Sequence, residues 1–157
     1  MLSETKPTPR KVYTPRSLPL HVLLGLANLA FSYLSLTSAA TLLFAPVFFI
    51  AGSLLLVNAL TRRLVITSDG ISYYTLGVYA IHSTWENLAR IERINLALTG
   101  AVRCLVLAEP GGKGWAGAVW MFPTELVGRA IPLGNTWANQ KALEADLRAN
   151  APQIFTK

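Results

Sequence analysis

Apolar residues occur along this chain in two rhythms. From Leu18 to Leu60 they run almost unbroken, with no Lys, Arg, Asp or Glu between those positions. One run opens at Pro19-Leu20 and ends at Leu36, Thr37-Ser38-Ala39-Ala40 interrupts, and a second run passes through Phe44, Phe48, Phe49 and Leu54 to Leu60. A membrane-crossing helix needs about 20 mostly apolar residues, because a rise of about 1.5 Å per residue must cover about 30 Å of hydrocarbon. The block is long enough for two such helices and a turn, so it predicts a transmembrane helical hairpin over residues 18–61. A buried hairpin in a soluble core would keep a polar face, whereas Asn28, Ser32, Ser35, Ser53 and Asn58 make no continuous stripe. A cleaved signal peptide would have a shorter apolar region with fewer residues before it.

Beyond Arg63 the rhythm shortens. Leu64 to Thr67 is a β-branched run, and Ser68-Asp69-Gly70 reads as a turn whose glycine supplies a positive φ. Ile71 to Leu76 and Val78 to Trp85 continue a meander, with Gly77 between them. Further strands are expected over Ala89 to Leu98, Val102 to Glu109, Ala118 to Phe122 and Arg129 to Leu133. Pro132 confines the last of these to an edge or an end. Gly134-Asn135-Thr136 offers an N-cap, and Trp137 to Ala149 is dense in helix formers, stopped by Asn150-Ala151-Pro152. The chain is therefore expected to be α+β, a transmembrane hairpin followed by seven short antiparallel strands closing into a partly open barrel, with the C-terminal helix plugging one mouth. Residues 1–17 carry prolines and no apolar period, which predicts a flexible tail. Residues 62–157 are expected to fold without the hairpin, around a core including Ile66, Ile71, Ile81, Ile91, Leu105, Leu107, Val119 and Ile131.

Composition adds little that the pattern does not already contain: 52% of the 157 residues are hydrophobic and 14% charged, and the apolar excess sits in the hairpin. The placement of the net charge of +6 matters more. Lys6, Arg10, Lys11 and Arg16 precede the first span and Arg62-Arg63 follow the second, while the turn between the spans is uncharged. Short basic flanks stay on the cytoplasmic side, so both termini are expected in the cytoplasm, at the inner (plasma) membrane, with the turn outside. These cations would also be attracted to anionic headgroups, about 1 kcal/mol each. They flank the membrane and form no separate patch, which argues against a nucleic-acid partner. Gly25, Ala27, Ala51, Gly52 and Ser53 permit close helix approach, and Asn28 and Asn58 are expected to bond across a helix pair.

The order of short motifs resembles a family. Leu64-Val-Ile-Thr-Ser-Asp-Gly-Ile-Ser-Tyr73, His82-Ser-Thr-Trp85-Glu-Asn-Leu-Ala-Arg-Ile91, Ile131-Pro-Leu-Gly-Asn135 and Leu147-Arg-Ala-Asn-Ala-Pro152 are similar, in this order, to bacterial pleckstrin-homology-like domains carried on small membrane proteins behind a transmembrane hairpin. The resemblance spans roughly Arg62 to Phe155 and implies a non-catalytic binding or scaffolding module. The Thr67 to Ile71 turn holds no Lys or Arg, unlike the basic loop with which eukaryotic members read phosphoinositides. The glycine-rich insert from Pro110 to Gly117 does not map onto the family.

Candidate chemistry is sparse. Cys104 stands alone in an apolar strand, which suits a small buried hydrophobe and excludes an internal disulfide. His21 and His82 belong to different elements, and no metal-binding spacing occurs. Gly111-Gly-Lys-Gly114 lacks the Lys-Ser/Thr step and the following helix of a phosphate loop, and reads as a hairpin tip. No enzyme activity and no cofactor are expected. The candidate contact residues are Trp115 with Lys113, an amphipathic ring on a glycine-rich tip suited to a protein or membrane contact, and the juxtamembrane cations Arg10, Lys11, Arg16, Arg62 and Arg63. The expected partners are the lipid bilayer and a protein partner or second copy. An accessory subunit packing its hairpin inside a larger membrane complex is the alternative, with which Gly25, Ala51 and Gly52 are compatible.

Overall fold

A computed structural model describes residues 10–76, 78–96, 100–112, 124–134 and 137–155. Its element order is β1 (Lys11–Tyr13), α1 (Leu18–Ser35), a 3-10 turn (Leu42–Phe44), α2 (Ala45–Thr61), β2 (Arg63–Ile66), β3 (Gly70–Thr75), β4 (Val78–Thr84), β5 (Leu88–Leu96), β6 (Gly100–Leu107), a 3-10 turn (Thr124–Leu126), β7 (Ala130–Pro132), α3 (Gln140–Asn150) and a closing 3-10 turn (Pro152–Phe155). The class is α+β: two apolar helices, antiparallel sheets and a C-terminal helix.

Both apolar helices are long and apolar enough to cross a membrane. Their packing inverts that of a soluble core. Only small or polar residues are buried, Gly25, Ser32 and Ser35 on α1 and Ala45, Gly52 and Ala59 on α2. The large side chains point outward, with Leu23 64%, Phe49 58% and Leu60 71% exposed. Water would oppose that arrangement at about 25 cal/mol per Å² of apolar surface, and hydrocarbon would not. Gly25 and Gly52 face each other: a Cβ on Gly52 would lie 2.8 Å from the Gly25 carbonyl oxygen. Hydroxyl groups close the distal end, where Ser32 Oγ donates to the Ala45 carbonyl at 2.7 Å and Thr41 Oγ1 to that of Ser35 at 3.2 Å. Pro19 and Pro46 sit in the first turns of α1 and α2, where the missing N–H leaves no bond unmade.

The remaining strands form two separate sheets, of order β1-β2-β3-β4 and β5-β6-β7, rather than one seven-stranded barrel. One reason is the connection from β4 to β5, where Trp85 to Asn87 turn away and the Leu88 amide bonds the Trp85 carbonyl at 3.3 Å, so that the two strands do not pair. A second is that the first strand comes from the segment expected to be a flexible tail. Lys11, Val12 and Tyr13 pair with Ile66, Val65 and Leu64. The hairpin is thus an insertion between two adjacent antiparallel strands, and the first sheet begins before it, within the segment expected to be a tail.

Tyr13, Leu64, Ile66, Ile71, Tyr73, Ile81, Leu105, Leu107, Ile131, Trp137 and Leu143 pack as one core between the sheets and α3, with Ile91 at its margin. A smaller cluster of Ile94, Cys104, Val106 and Ala130 lies on the other face of the second sheet. The expected strand over 118–122, with Val119, lies outside the described residues. Three local expectations change. Gly70 does not have positive φ; its missing Cβ is needed because one would stand 2.0 Å from the Ser83 carbonyl oxygen of β4. Among the described residues of that meander, the one with positive φ is Leu76, at 49°. The C-terminal helix starts at Gln140, with Asn139 as the N-cap accepting from the Ala142 amide at 3.3 Å, and Trp137 precedes it.

Candidate functional site

The foot of the hairpin brings together the chain's most unusual side chains. α2 ends at Thr61, and Arg62 turns extended into β2. That turn points Arg62 into the protein, where it is 7% exposed. Its guanidinium lies 5.4 Å from the centre of the Trp137 ring and is hydrogen-bonded to Tyr73. Burial pushes its pKa down and the Tyr73 contact opposes that shift. Trp137 meets Tyr73 edge to face at 6.3 Å and donates Nε1–H to the Pro132 carbonyl at 3.3 Å. One turn earlier on α2, Asn58 Oδ1 accepts from Thr75 Oγ1 at 2.8 Å, fixing the helix end to β3. The other strand of the insertion is held from the opposite side: Pro15 pairs with Trp137, and the Ala138 amide donates to the Thr14 carbonyl at 2.9 Å.

A second clamp joins β1 to α3. Lys11 Nζ lies 2.6 Å from Asp146, whose other carboxylate oxygen accepts from the Tyr13 hydroxyl. Burial tends to raise the Asp146 pKa, but the hydrogen bonds from Lys11 and Tyr13 outweigh it and hold the carboxyl below its usual range. Burial first, then the Asp146 contact, pushes the Tyr13 hydroxyl above its ordinary value.

The five juxtamembrane cations therefore have different roles. Arg10 and Arg16 are exposed, and Arg16 borders a cleft of about 340 Å³ with Trp137, Asn139 and Lys141. Lys11 is committed to Asp146. Arg63 lies over the Tyr74 ring at 4.8 Å on the exposed side of β2. Arg62 is buried in the foot. The two asparagines of the hairpin also differ from expectation, since Asn28 donates to Leu24 of its own helix at 2.8 Å and Asn58 serves the domain. Trp115 and Lys113 lie outside the described residues.

The contributions of Tyr13, Tyr73, Trp137 and Asp146 were not signalled by any motif. The only hint at β1 is the apolar pair Val12-Tyr13 inside a polar stretch, too short to show a period. Among the described residues, no three His, Cys, Asp or Glu side chains are grouped to hold a metal ion. Cys104 is fully buried, and burial, with Glu92 nearby, pushes its thiol up to about 12. His82 Nδ1 lies 2.9 Å from Ser72 Oγ on the exposed face of the first sheet. Compared with known proteins, the chain matches no family model, no curated protein sequence and no solved structure.

Proposed function

We propose that this protein is a membrane-anchored, non-catalytic binding or scaffolding module. Its helical hairpin spans a bacterial inner membrane, and a pleckstrin-homology-like domain stands on the cytoplasmic side together with both termini. The observation that carries this reading is the insertion of the hairpin between β1 and β2. Two adjacent antiparallel strands deliver both helix ends to one edge of one sheet, so the domain has two connections to the anchor. The Arg62–Trp137 and Asn58–Thr75 contacts stiffen those connections. An anchor built this way holds a domain at fixed height and orientation above a bilayer, which suits display of a binding surface.

The basic flanks support the orientation, by the preference of short Lys- and Arg-rich segments for the cytoplasm. The family reading is supported by the order of strand, Asp69-Gly70 turn, Trp85-Glu86 step and terminal helix on paired antiparallel sheets. The non-catalytic reading draws on the inert setting of Cys104 and the separation of the two histidines. Of the three small residues compatible with the accessory-subunit reading, Gly25, Ala51 and Gly52, the two glycines pack on each other within the hairpin. Mild detergent extraction followed by single-particle mass measurement tests the proposal. A monomer, a homo-oligomer or a complex that dissociates on dilution is expected. A stable hetero-complex of fixed stoichiometry would favour the accessory subunit instead.

A further inference from the structure

Midway along their ladder, β5 and β6 place two arginines directly opposite each other: Arg93 and Arg103 are cross-strand partners on the same face. Like charges in that position destabilise a sheet, so the pairing is costly unless something anionic sits between or beside them. Arg103 has its counter-ion, Glu144 of α3 at 2.6 Å. The Gln140 side-chain bond and Arg103 together lower the Glu144 pKa against a smaller opposing effect of burial. Arg93 has no such partner: among the described residues no carboxylate lies within 4 Å of it, since neighbouring Glu92 pairs with Arg90 at 2.8 Å.

The two arginines open onto a cleft of about 420 Å³ whose other walls are Ile91, Glu92, Ile154 and Phe155. That volume falls within the range of about 300–1,000 Å³ typical of ligand sites. Arg148 stacks on Phe155 with its guanidinium 4.7 Å from the ring centre. Around the cleft, Arg93, Arg103 and Arg148 are set against two carboxylates, each already paired: Glu144 with Arg103, and Glu92 with Arg90. An arginine fork recognises a carboxylate with two parallel hydrogen bonds, and an apolar wall beside it accepts an aliphatic or aromatic side chain.

We infer that this cleft docks an acidic peptide segment, placing a carboxylate on Arg93 and an adjacent apolar side chain against Ile154 and Phe155. A lipid headgroup would satisfy the charge but leave the apolar wall unused, so the pairing of the two features selects a peptide. The inference deepens the binding-module reading and rests on it.

The test uses the full chain in phosphatidylcholine nanodiscs and a fluorescein-labelled peptide of alternating Glu and Leu, read by anisotropy. Saturable binding is expected. Arg93→Gln should weaken it about tenfold or more, the size of a lost charge-assisted contact. Arg63→Gln, whose side chain lies over Tyr74 on the other sheet, should leave it unchanged. Arg93→Gln should not lower the melting temperature, because it relieves a like-charge pair. Equal binding of a Gln-Leu peptide, indifference to Arg93→Gln, or no binding of the acidic peptide would each overturn the proposal. Displacement of the peptide by phosphatidylglycerol in the nanodisc would assign the cleft to headgroups and overturn it as well. None of these outcomes alters the membrane extraction or complex size that test the module reading, so the two fail separately.

Discussion

Removing β1 should cost the domain most of its stability, although the strand has three residues. Tyr13 is buried in the main core, and truncating a buried aromatic side chain costs about 3–5 kcal/mol. Its hydroxyl bond to Asp146 adds about 1 kcal/mol. Lys11 is 61% exposed, so its ion pair adds less than about 1 kcal/mol. The pairing of Pro15 with Trp137 and the Thr14–Ala138 backbone bond go with the strand. Loss of about 4–7 kcal/mol consumes much of the 5–15 kcal/mol, roughly, that holds a domain together. Two soluble chains make the comparison. One comprises residues 62–157. The other keeps residues 10–16 and joins them to residue 62 through a short Gly-Ser loop, which the Tyr13–Leu64 register permits because both strand ends lie side by side. Urea titration followed by tryptophan fluorescence should give a cooperative transition for the looped chain and a marginal or absent one for the shorter chain. Superimposable transitions would refute the reasoning, since β1 would then contribute nothing.

The Asp146 clamp makes stability depend on pH at both extremes. The carboxyl has a lowered pKa when folded, so its contribution is present above the unfolded carboxylate range near pH 4 and disappears as pH falls through the folded value. The Tyr13 hydroxyl has a raised pKa, so its contribution is present below about pH 10 and is lost as pH rises beyond it. Asp146→Asn should flatten the acid limb and Tyr13→Phe the alkaline limb in melting curves of the looped chain; unchanged limbs would count against the clamp. Arg62→Ala should cost about 2–3 kcal/mol by losing a desolvated cation–π contact and buried stem, whereas Arg63→Ala at the exposed Tyr74 ring should cost under about 1 kcal/mol; equal losses in denaturant titration would undo the distinction between them. Gly52→Leu should force α1 and α2 apart, because even a Cβ there stands 2.8 Å from the Gly25 backbone oxygen. Disulfide crosslinking of cysteines introduced at Ser32 and Ala45 should then fall sharply, and undiminished crosslinking would contradict the close pairing.

Much of this arrangement was readable in the residues, and the reasons for the rest are physical. The charge-free run from Leu18 to Leu60 announced two helices because hydropathy integrates over many residues. The β2 to β6 strands showed through β-branched runs set between turns. Strand partners are a different matter. Lys11-Val-Tyr13 carries no periodicity of its own, and it is ordered by what Leu64 to Ile66 and Asp146 offer from far along the chain. The split into two sheets depends on where the Trp85 to Asn87 turn sends the backbone, which local propensity does not encode. Arg62 and Arg63 are adjacent and identical, yet one is buried and the other exposed, because Arg62 is the extended residue that leaves α2 and Arg63 opens β2 on its outer side. The Arg93–Arg103 pair emerges only from the β5–β6 register.

The insertion of a membrane-spanning hairpin into a domain on one side of the bilayer can be tested in intact cells with single cysteines. Cys104, replaced by Ser, is the chain's one native thiol. Ser38→Cys then reports the turn between the helices, and Ser68→Cys reports the exposed β2–β3 turn of the domain. With a membrane-impermeant maleimide, Ser38→Cys should label in intact cells once the outer membrane is opened. Ser68→Cys should label only after the inner membrane is lysed. Labelling of both positions before lysis, or of neither until lysis, would contradict a hairpin that crosses the membrane twice and returns the chain to the side from which it left.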